Sequence, residues 1–173
     1  MSVVSYTPSS VTSFPPAFKT TLDTLGEESG VAQGLKGPIT TCEKLSSQTA
    51  EKERQVLYCL LEDELPVGFV KIGWKHLYLL NEDNKLCEKD PLCVLDFYVS
   101  GAKQRGGLGK MVFEGMCRAE MEGSDGGDLA VFASKLAYDR PSQKIIPFLR
   151  KNYGLSGFVE QSNNYVVFDG FWE

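Results

Sequence analysis

The sequence predicts an α/β (α+β) fold, a mixed and mostly antiparallel sheet flanked by helices. Three observations predict it. The apolar runs Val56–Leu61 (VLYCLL) and Val67–Leu80 follow one another across Leu65-Pro66, as neighbouring antiparallel strands do. Leu92–Val99 (LCVLDFYV) is dense in β-forming residues and bounded by Pro91 and Ser100-Gly101. Leu108, Met111, Val112, Gly115, Met116 and Ala119 then recur at helical spacing, so the period changes from two to 3.6 directly after the strongest strand. At 173 residues the chain can bury one substantial core.

Residues 1–16 (MSVVSYTPSSVTSFPP) are rich in Ser, Thr and Pro without a charged side chain. They predict a flexible or irregular N-terminal arm ahead of a single domain over 17–173. Ala17–Glu28 is expected to be a short helix with Phe18, Leu22 and Leu25 on one side. Ser29–Thr40 holds three glycines and Pro38, which forbid a long helix and favour a shaped loop. A second short helix is expected through Thr41–Ser47. In the strand after Pro66, Phe69, Lys71 and Gly73 share one face; Gly68, Val70, Ile72 and Trp74 share the other. The polar stretch Asn81–Asp90 reads as a variable loop, and Gly107–Glu122 as a helix. Of the runs Leu129–Ala133 and Leu136–Tyr138, the second is taken as the strand. Pro141–Asn152 is expected to be helical, with Ile145, Ile146, Phe148 and Leu149 buried and Pro147 an irregularity. Tyr165–Phe168 closes the sheet. No internal repeat is visible.

The 18 basic and 23 acidic residues give a net charge of −5. That excludes the broad cationic face that coats nucleic acid, and adhesion to anionic lipid by charge alone. No apolar run approaches the roughly 20 residues of a membrane span, and without a basic stretch followed by an apolar one the first residues are not expected to act as a secretory signal. Neither nucleic acid nor membrane is therefore an expected partner. A single histidine, His76, rules out a His-rich metal site and leaves one residue for any Ser-His or Cys-His pair. In an apolar run beside Trp74 and Tyr78, it reads as structural or superficial. Cys42, Cys59, Cys87, Cys93 and Cys117 are odd in number and contain no C-x-x-C pair, so neither a disulfide framework nor a zinc site is expected. Free thiols suit a reducing, cytosolic or cytoskeletal compartment.

The informative motif follows the strongest strand: Gln104-Arg105-Gly106-Gly107-Leu108-Gly109-Lys110. Its glycines let the backbone turn tightly and approach a ligand. A helix begins there, so N–H groups without intrahelical partners converge, helped by the helix dipole. It is neither a Walker loop nor G-x-G-x-x-G, and a glycine-rich turn alone would read equally as plain structure. Charge placement tips the balance: residues 103–110 and 140–151 together carry seven of the 18 basic residues and none of the acids. Two acid-free helix starts, each after a candidate strand, suit a large polyanion at the carboxyl ends of strands.

Read as Q-x-x-G-x-G, Gln104–Gly109 resembles the acetyl-CoA pyrophosphate loop of the Gcn5-related N-acetyltransferase superfamily. Ala32–Thr40 (AQGLKGPIT), Val67–Gly73 (VGFVKIG), Pro91–Tyr98 (PLCVLDFY), Leu136–Lys144 (LAYDRPSQK) and Asn163–Phe171 (NNYVVFDGF) together resemble the α-tubulin N-acetyltransferase catalytic domain. The blocks run in order over roughly residues 17–172. The resemblance implies the superfamily's sheet, with acetyl-CoA as co-substrate at the splayed central strands and no metal. It implies a monomeric enzyme that acetylates one lysine of α-tubulin on the luminal side of microtubules, in the cytoplasm, on the cytoskeleton or in a cilium or flagellum. By the same resemblance Phe97, Tyr98, Val99, Gln104, Arg105, Gly106, Gly107, Leu108, Gly109 and Lys110 belong to the pantetheine and pyrophosphate segment. Ser142, Lys144 and Lys151 belong to a second acetyl-CoA segment. Cys93 and Asp139 match the pair associated with catalysis, and Gln33 matches the activity-critical glutamine. Two features depart from the family: its N-terminal strand is poorly represented in residues 1–16, and an insertion near Gly123–Ser134 precedes LAYD.

Acetyl transfer from a thioester needs a neutral amine, whereas a free lysine has a pKa of about 10.4. A base within hydrogen-bond reach, or burial of the amine, must remove a proton, and a backbone N–H on the Cys93–Tyr98 strand would hold the oxyanion. Asp139, before Arg140-Pro141-Ser142, reads either as that base or as the N-cap of the next helix. The resemblance favours the catalytic role, with or without capping. Cys93, in an apolar strand without a histidine evidently placed to activate it, is expected to assist a direct transfer in a ternary complex rather than to carry the acetyl group. Asp96, an acid inside a strand, is read as orienting the loop or the substrate. Other readings are the same fold acting on another protein or small amine, and a catalytically weak microtubule-binding factor.

Overall fold

The computed structural model describes residues 1–122 and 127–173. Its frame is a six-stranded sheet ordered β1-β2-β3-β6-β7-β8, built from β1 (Ser2–Tyr6), β2 (Val56–Glu62), β3 (Leu65–Trp74), β6 (Leu92–Val99), β7 (Ala137–Asp139) and β8 (Tyr165–Val167). Every neighbouring pair is antiparallel except β6 and β7, which run parallel. The hairpin of β4 (Leu77–Leu80) and β5 (Leu86–Lys89) forms a separate two-stranded sheet. The mixed, mostly antiparallel sheet is the expected one.

Alternation along the strands builds the two covering layers. Leu57, Cys59 and Phe69 point to the face covered by α1 (Pro16–Ala32) and α2 (Cys42–Leu45), where Phe18, Leu22, Leu25 and Leu45 meet them. Tyr58, Leu60, Val70, Ile72 and Val94 point to the opposite face, covered by α4 (Leu108–Glu120) and α6 (Ile145–Tyr153) through Val112, Phe113, Met116 and Leu149. Two short helices, α3 (Gln48–Lys52) and α5 (Leu129–Ser134), complete the chain.

A bulge shapes the centre. Lys71 opposes Asp96 but Ile72 opposes Val94, so Leu95 is the extra residue on β6. Cys93 and Leu95 pack on the same side, beside Leu77, Leu79, Ala137 and Val167. Asp96 follows Leu95 onto that side, toward α1, and Phe97 is thereby returned to the α4 side. One inserted residue thus re-aims an acid into the interface between sheet and α1.

Several boundaries differ from the sequence expectation. Residues 1–16 are not an irregular arm: Ser2–Tyr6 pairs along Leu57–Leu61 as the edge strand, and Pro8–Ser13 forms a 3-10 turn. Val3 seats against α4 at Gly115, where a Cβ would lie 2.8 Å from the valine methyl. The strand that looked poorly represented is present, with Ser2 and Ser5 exposed and Val3, Val4 and Tyr6 half-buried. Helix α1 continues through Gly26 and Gly30 to Ala32 because the returning loop packs against them: a Cβ on Gly26 would lie 1.8 Å from the Thr40 carbonyl oxygen. A break-prone residue survives in a helix when something must approach that closely. The Asn81–Asp90 loop contains β5, held to β4 by His76, whose two ring nitrogens lie 2.6 Å from Asp90 and 2.7 Å from Glu88. Of the two apolar runs the second is the strand, as Ala137–Asp139, and the first lies in a short helix, Leu129–Ser134; the first four residues of the Gly123–Ser134 insertion lie outside the described residues. Helix α6 starts at Ile145 instead of Pro141, which puts Pro147 in its first turn, where no N–H is required of it.

Candidate active site

The parallel pairing of β6 with β7 covers only Cys93↔Ala137 and Val94↔Tyr138. β7 then ends at Asp139, and Arg140 takes a left-handed backbone (φ 42°) that turns the chain away. The β7 side of Leu95–Val99 is left without a strand, so the two central strands splay open there. Gln33, Asp96, Phe97, Tyr138, Asp139 and Arg140 line a narrow cleft at this point.

On one side of the splay, β6 runs into the glycine-rich loop. Arg105 (φ 71°) and Gly107 (φ 75°) are both left-handed, and Gly107 is the N-cap of α4 without a side-chain cap. The first helical bond runs from Met111 N–H to the Gly107 carbonyl, so the N–H groups of Leu108, Gly109 and Lys110 have no acceptor within the helix. Gly109 lies over Phe97, whose ring would be 3.6 Å from a Cβ there. Gln104 ties the motif down: its Nε2 donates to the Val99 carbonyl at 2.8 Å, and its Oε1 accepts from Lys144 Nζ at 2.7 Å. One side chain therefore joins the two basic stretches, and the uncapped helix start fits a pyrophosphate. Ser142 lies in the turn before α6, and Lys144 is that helix's N-cap residue. Lys151 is in its last turn, about 9 Å along the axis from Ile145. Lys110 leans toward Glu114 at 3.8 Å.

On the other side, Cys93, Ala137 and Asp139 share a face, with Tyr165 opposite Asp139 on β8. Cys93 is fully buried, its Sγ 3.4 Å from the Pro91 carbonyl. Burial, and secondarily the Asp139 charge, push its thiol up to about 12. Asp139 is partly exposed, and burial raises its carboxyl above the ordinary value while Arg140, Lys75 and Lys71 oppose that. Asp139 makes no capping bond: α6 begins six residues later with Lys144 as its N-cap, so the capping reading falls. What remains is a half-buried carboxyl at the mouth of the cleft, able to take a proton.

Gln33, the C-cap residue of α1, reaches the same cleft from the opposite wall. The structure thus brings Gln33, Asp139 and Phe97 together and sets Cys93 beneath them. It also reveals two groups whose position the sequence left open. Asp96 and Lys71, each 4% exposed, face each other across β3 and β6. Asp96 accepts from Ser29 Oγ (2.7 Å), Gln33 Nε2 (3.0 Å) and Thr40 Oγ1 (2.6 Å). Lys71 Nζ donates to the Ile39 carbonyl at 3.2 Å, and burial lowers its ammonium to about 8. The only sequence signal for either was a charged residue at an inward strand position. Among the described residues no group of three or more His, Cys, Asp or Glu side chains could hold a metal ion.

Known proteins of this architecture carry related names. A predicted acetyltransferase from Clostridium acetobutylicum, solved with acetyl-CoA, superposes with a TM-score of 0.58 at 11% identity, covering 92% of each chain; the likeness is one of fold. The α-tubulin N-acetyltransferase of Tetrahymena thermophila is 42% identical over 151 residues, 87% of this chain and 34% of its own length. That of Phytophthora infestans is 36% identical over 171 residues, 91% of this chain and 90% of its own. This chain therefore spans about a third of the first relative and nearly all of the second. Residues 4–173 match the family described as GNAT acetyltransferase, Mec-17, and the chain belongs to that family.

Proposed function

We propose that this protein transfers an acetyl group from acetyl-CoA to a lysine side chain of α-tubulin in microtubules, directly within a ternary complex. The observation that carries the reading is the splay itself. An uncapped, basic helix start lies at one end of the unpaired β6 edge and a proton-accepting carboxyl at the other. The names of the relatives supply the substrate.

Acetyl-CoA, when bound, supplies the activated thioester. The N–H groups of Leu108–Lys110, with Arg105 and Lys144 nearby, neutralise its phosphates. Phe97, Tyr98 and Val99 offer the free strand edge to its extended arm, and an N–H there donates to the acetyl carbonyl. Asp139 takes one proton from the incoming ammonium, for which a carboxyl raised by burial is the better base; the neutral amine then adds to the thioester carbonyl, the C–S bond breaks, and the leaving thiolate takes the second proton lost from nitrogen. Cys93, with its thiol at about 12, stays protonated at neutral pH and walls the site instead of carrying the acetyl group. The net charge of −5 gives no long-range attraction to an acidic partner, so tubulin is met by local contacts and held weakly. A cytoplasmic, microtubule-associated monomer follows from this reading.

Incubation with acetyl-CoA and polymerised tubulin, scored for α-tubulin lysine acetylation, tests it. Asp139→Asn should lower the rate by about two orders of magnitude or more; undiminished turnover removes Asp139 as the base. Absence of acetyl-CoA binding in calorimetry sinks the acetyltransferase reading altogether. An acetylated Cys93 that turns over competently in mass spectrometry would replace direct transfer with a covalent route.

A further inference from the structure

Asp96 lines the cleft beside Gln33, and its hydrogen bonds go to the end of α1 and to the loop that returns from it. Oδ1 accepts from Ser29 Oγ and Gln33 Nε2, Oδ2 accepts from Thr40 Oγ1, and Ser29 Oγ also accepts from Gln33 Nε2 at 3.0 Å. These donors come from two places, the last turn of α1 and the loop that returns from it. That loop starts with left-handed Gly34, whose N–H donates to Val31, while Leu35 N–H donates to Gly30. It then folds back over Gly26 and Gly30, and Lys71 holds its Ile39 carbonyl. A buried acid with every donor matched is a fixed anchor.

The consequence falls on Gln33. With Nε2 held between two acceptors, the amide has one orientation. Among the described residues nothing donates to its Oε1, and Gln33 lines the cleft with Asp139. An oxygen so placed accepts an N–H from a primary amine. We propose that Asp96 is the positioning residue of the acceptor side: by pinning Gln33, Ser29 and Thr40 it aims the Gln33 carbonyl oxygen at the amine of the incoming lysine, and it takes no part in proton transfer itself. This rests on the acetyltransferase reading and adds to it the group that receives the substrate's second N–H.

Two substitutions separate this role from others. Asp96→Asn keeps a carbonyl oxygen for Ser29 and Gln33 and offers an N–H to Thr40, whose hydroxyl can turn and accept. It should hold kcat/KM for polymerised tubulin within about threefold of wild type. Asp96→Leu removes both acceptors and should cost on the order of 10- to 100-fold, with the acetyl-CoA Kd unchanged. Gln33→Ala should lose a similar amount, and Asp96→Leu/Gln33→Ala no more than Gln33→Ala alone, because both act through one oxygen. Asp96→Asn as inactive as Asp96→Leu would make Asp96 a base and overturn the proposal. So would losses that multiply in the double variant, or wild-type kinetics in Asp96→Leu. Should Asp96→Leu fail to fold, Ser29→Ala and Thr40→Val decide it: a loss confined to tubulin turnover supports the anchor, and unchanged turnover overturns it. Wild-type protein without any acetylation would instead remove the underlying function.

Discussion

Gly26→Ala should destabilise the protein although alanine is the better helix former. At an exposed helical position the exchange gains about 1 kcal/mol. Here the new Cβ would sit 1.8 Å from the Thr40 carbonyl oxygen and 3.0 Å from its carbon. Ordinary contact begins near 3.4 Å, so the loop backbone must retreat by about 1.6 Å. That movement pulls Thr40 Oγ1 off Asp96 and the Ile39 carbonyl off Lys71 Nζ. Both partners are buried, and each bond lost with its partner left behind costs about 1–3 kcal/mol. The net expectation is a loss of about 2–4 kcal/mol, read as a lower urea midpoint at an unchanged slope. Gly37→Ala is the control: a Cβ there meets nothing within 4 Å, so its midpoint should match wild type or rise slightly. A Gly26→Ala protein as stable as wild type would refute the claim that the loop is clamped against α1.

Lys144→Ala removes the cation bridging α6 to Gln104 and should weaken acetyl-CoA binding about tenfold in calorimetry; an unchanged Kd would detach α6 from the phosphate site. The acid limb of kcat/KM should lie above the ordinary aspartate range, since burial raises Asp139, and Asp139→Asn should abolish that limb; a limb that survives the substitution belongs to another group. Stability should fall in alkali. Burial raises the Cys59, Cys93 and Cys117 thiols, the last two to about 12, so the folded state keeps protons the unfolded chain gives up from about pH 8.5. Their contribution is complete below that pH and declines by about 1.4 kcal/mol per unit for each thiol as pH rises toward 12. Lys71 opposes them: lowered to about 8, it recovers a similar amount per unit between pH 8 and about 10.4. Urea midpoints under reducing conditions at pH 8, 9 and 10 should therefore decline beyond pH 9, and a flat series would contradict the burial of these thiols.

What was legible in the sequence was whatever depends on local chemistry. The run LCVLDFYV needs no context to be a strand, and Gly106-Gly107 between basic residues announces an exposed helix start. What stayed hidden depends on distant partners. β1 is five residues of an edge supported by β2, by the face of Gly115 and by Phe14 and Phe18 around Tyr6, and β5 is a polar strand on an outlying hairpin. Neither carries the apolar run that marks a central strand. Helix α1 outlasted its expected end because Gly26 and Gly30 serve close packing against a loop, a use of glycine that looks like a helix stop when read locally. Asp139 looked like a cap because Pro141 follows it, but the turn through left-handed Arg140 delays the helix. Asp96 could be noticed as an anomaly; the bulge at Leu95 that turns it toward α1 could not.

That bulge and the three-residue β7 have one further consequence. Sheets ordinarily keep their unpaired backbone at the rim, where bends, charges or covering loops guard it. This sheet has an unguarded edge in its middle, because β7 pairs with β6 at only two residues while β8 pairs with β7 beyond it. On the proposed function, selectivity there would depend on strand length: an extended, amide-bearing ligand would complete the ladder that β7 abandons, and a compact ligand of equal charge would not. Continuing the ladder by two residues would draw Asp139 and Arg140 against β6 and close the slot.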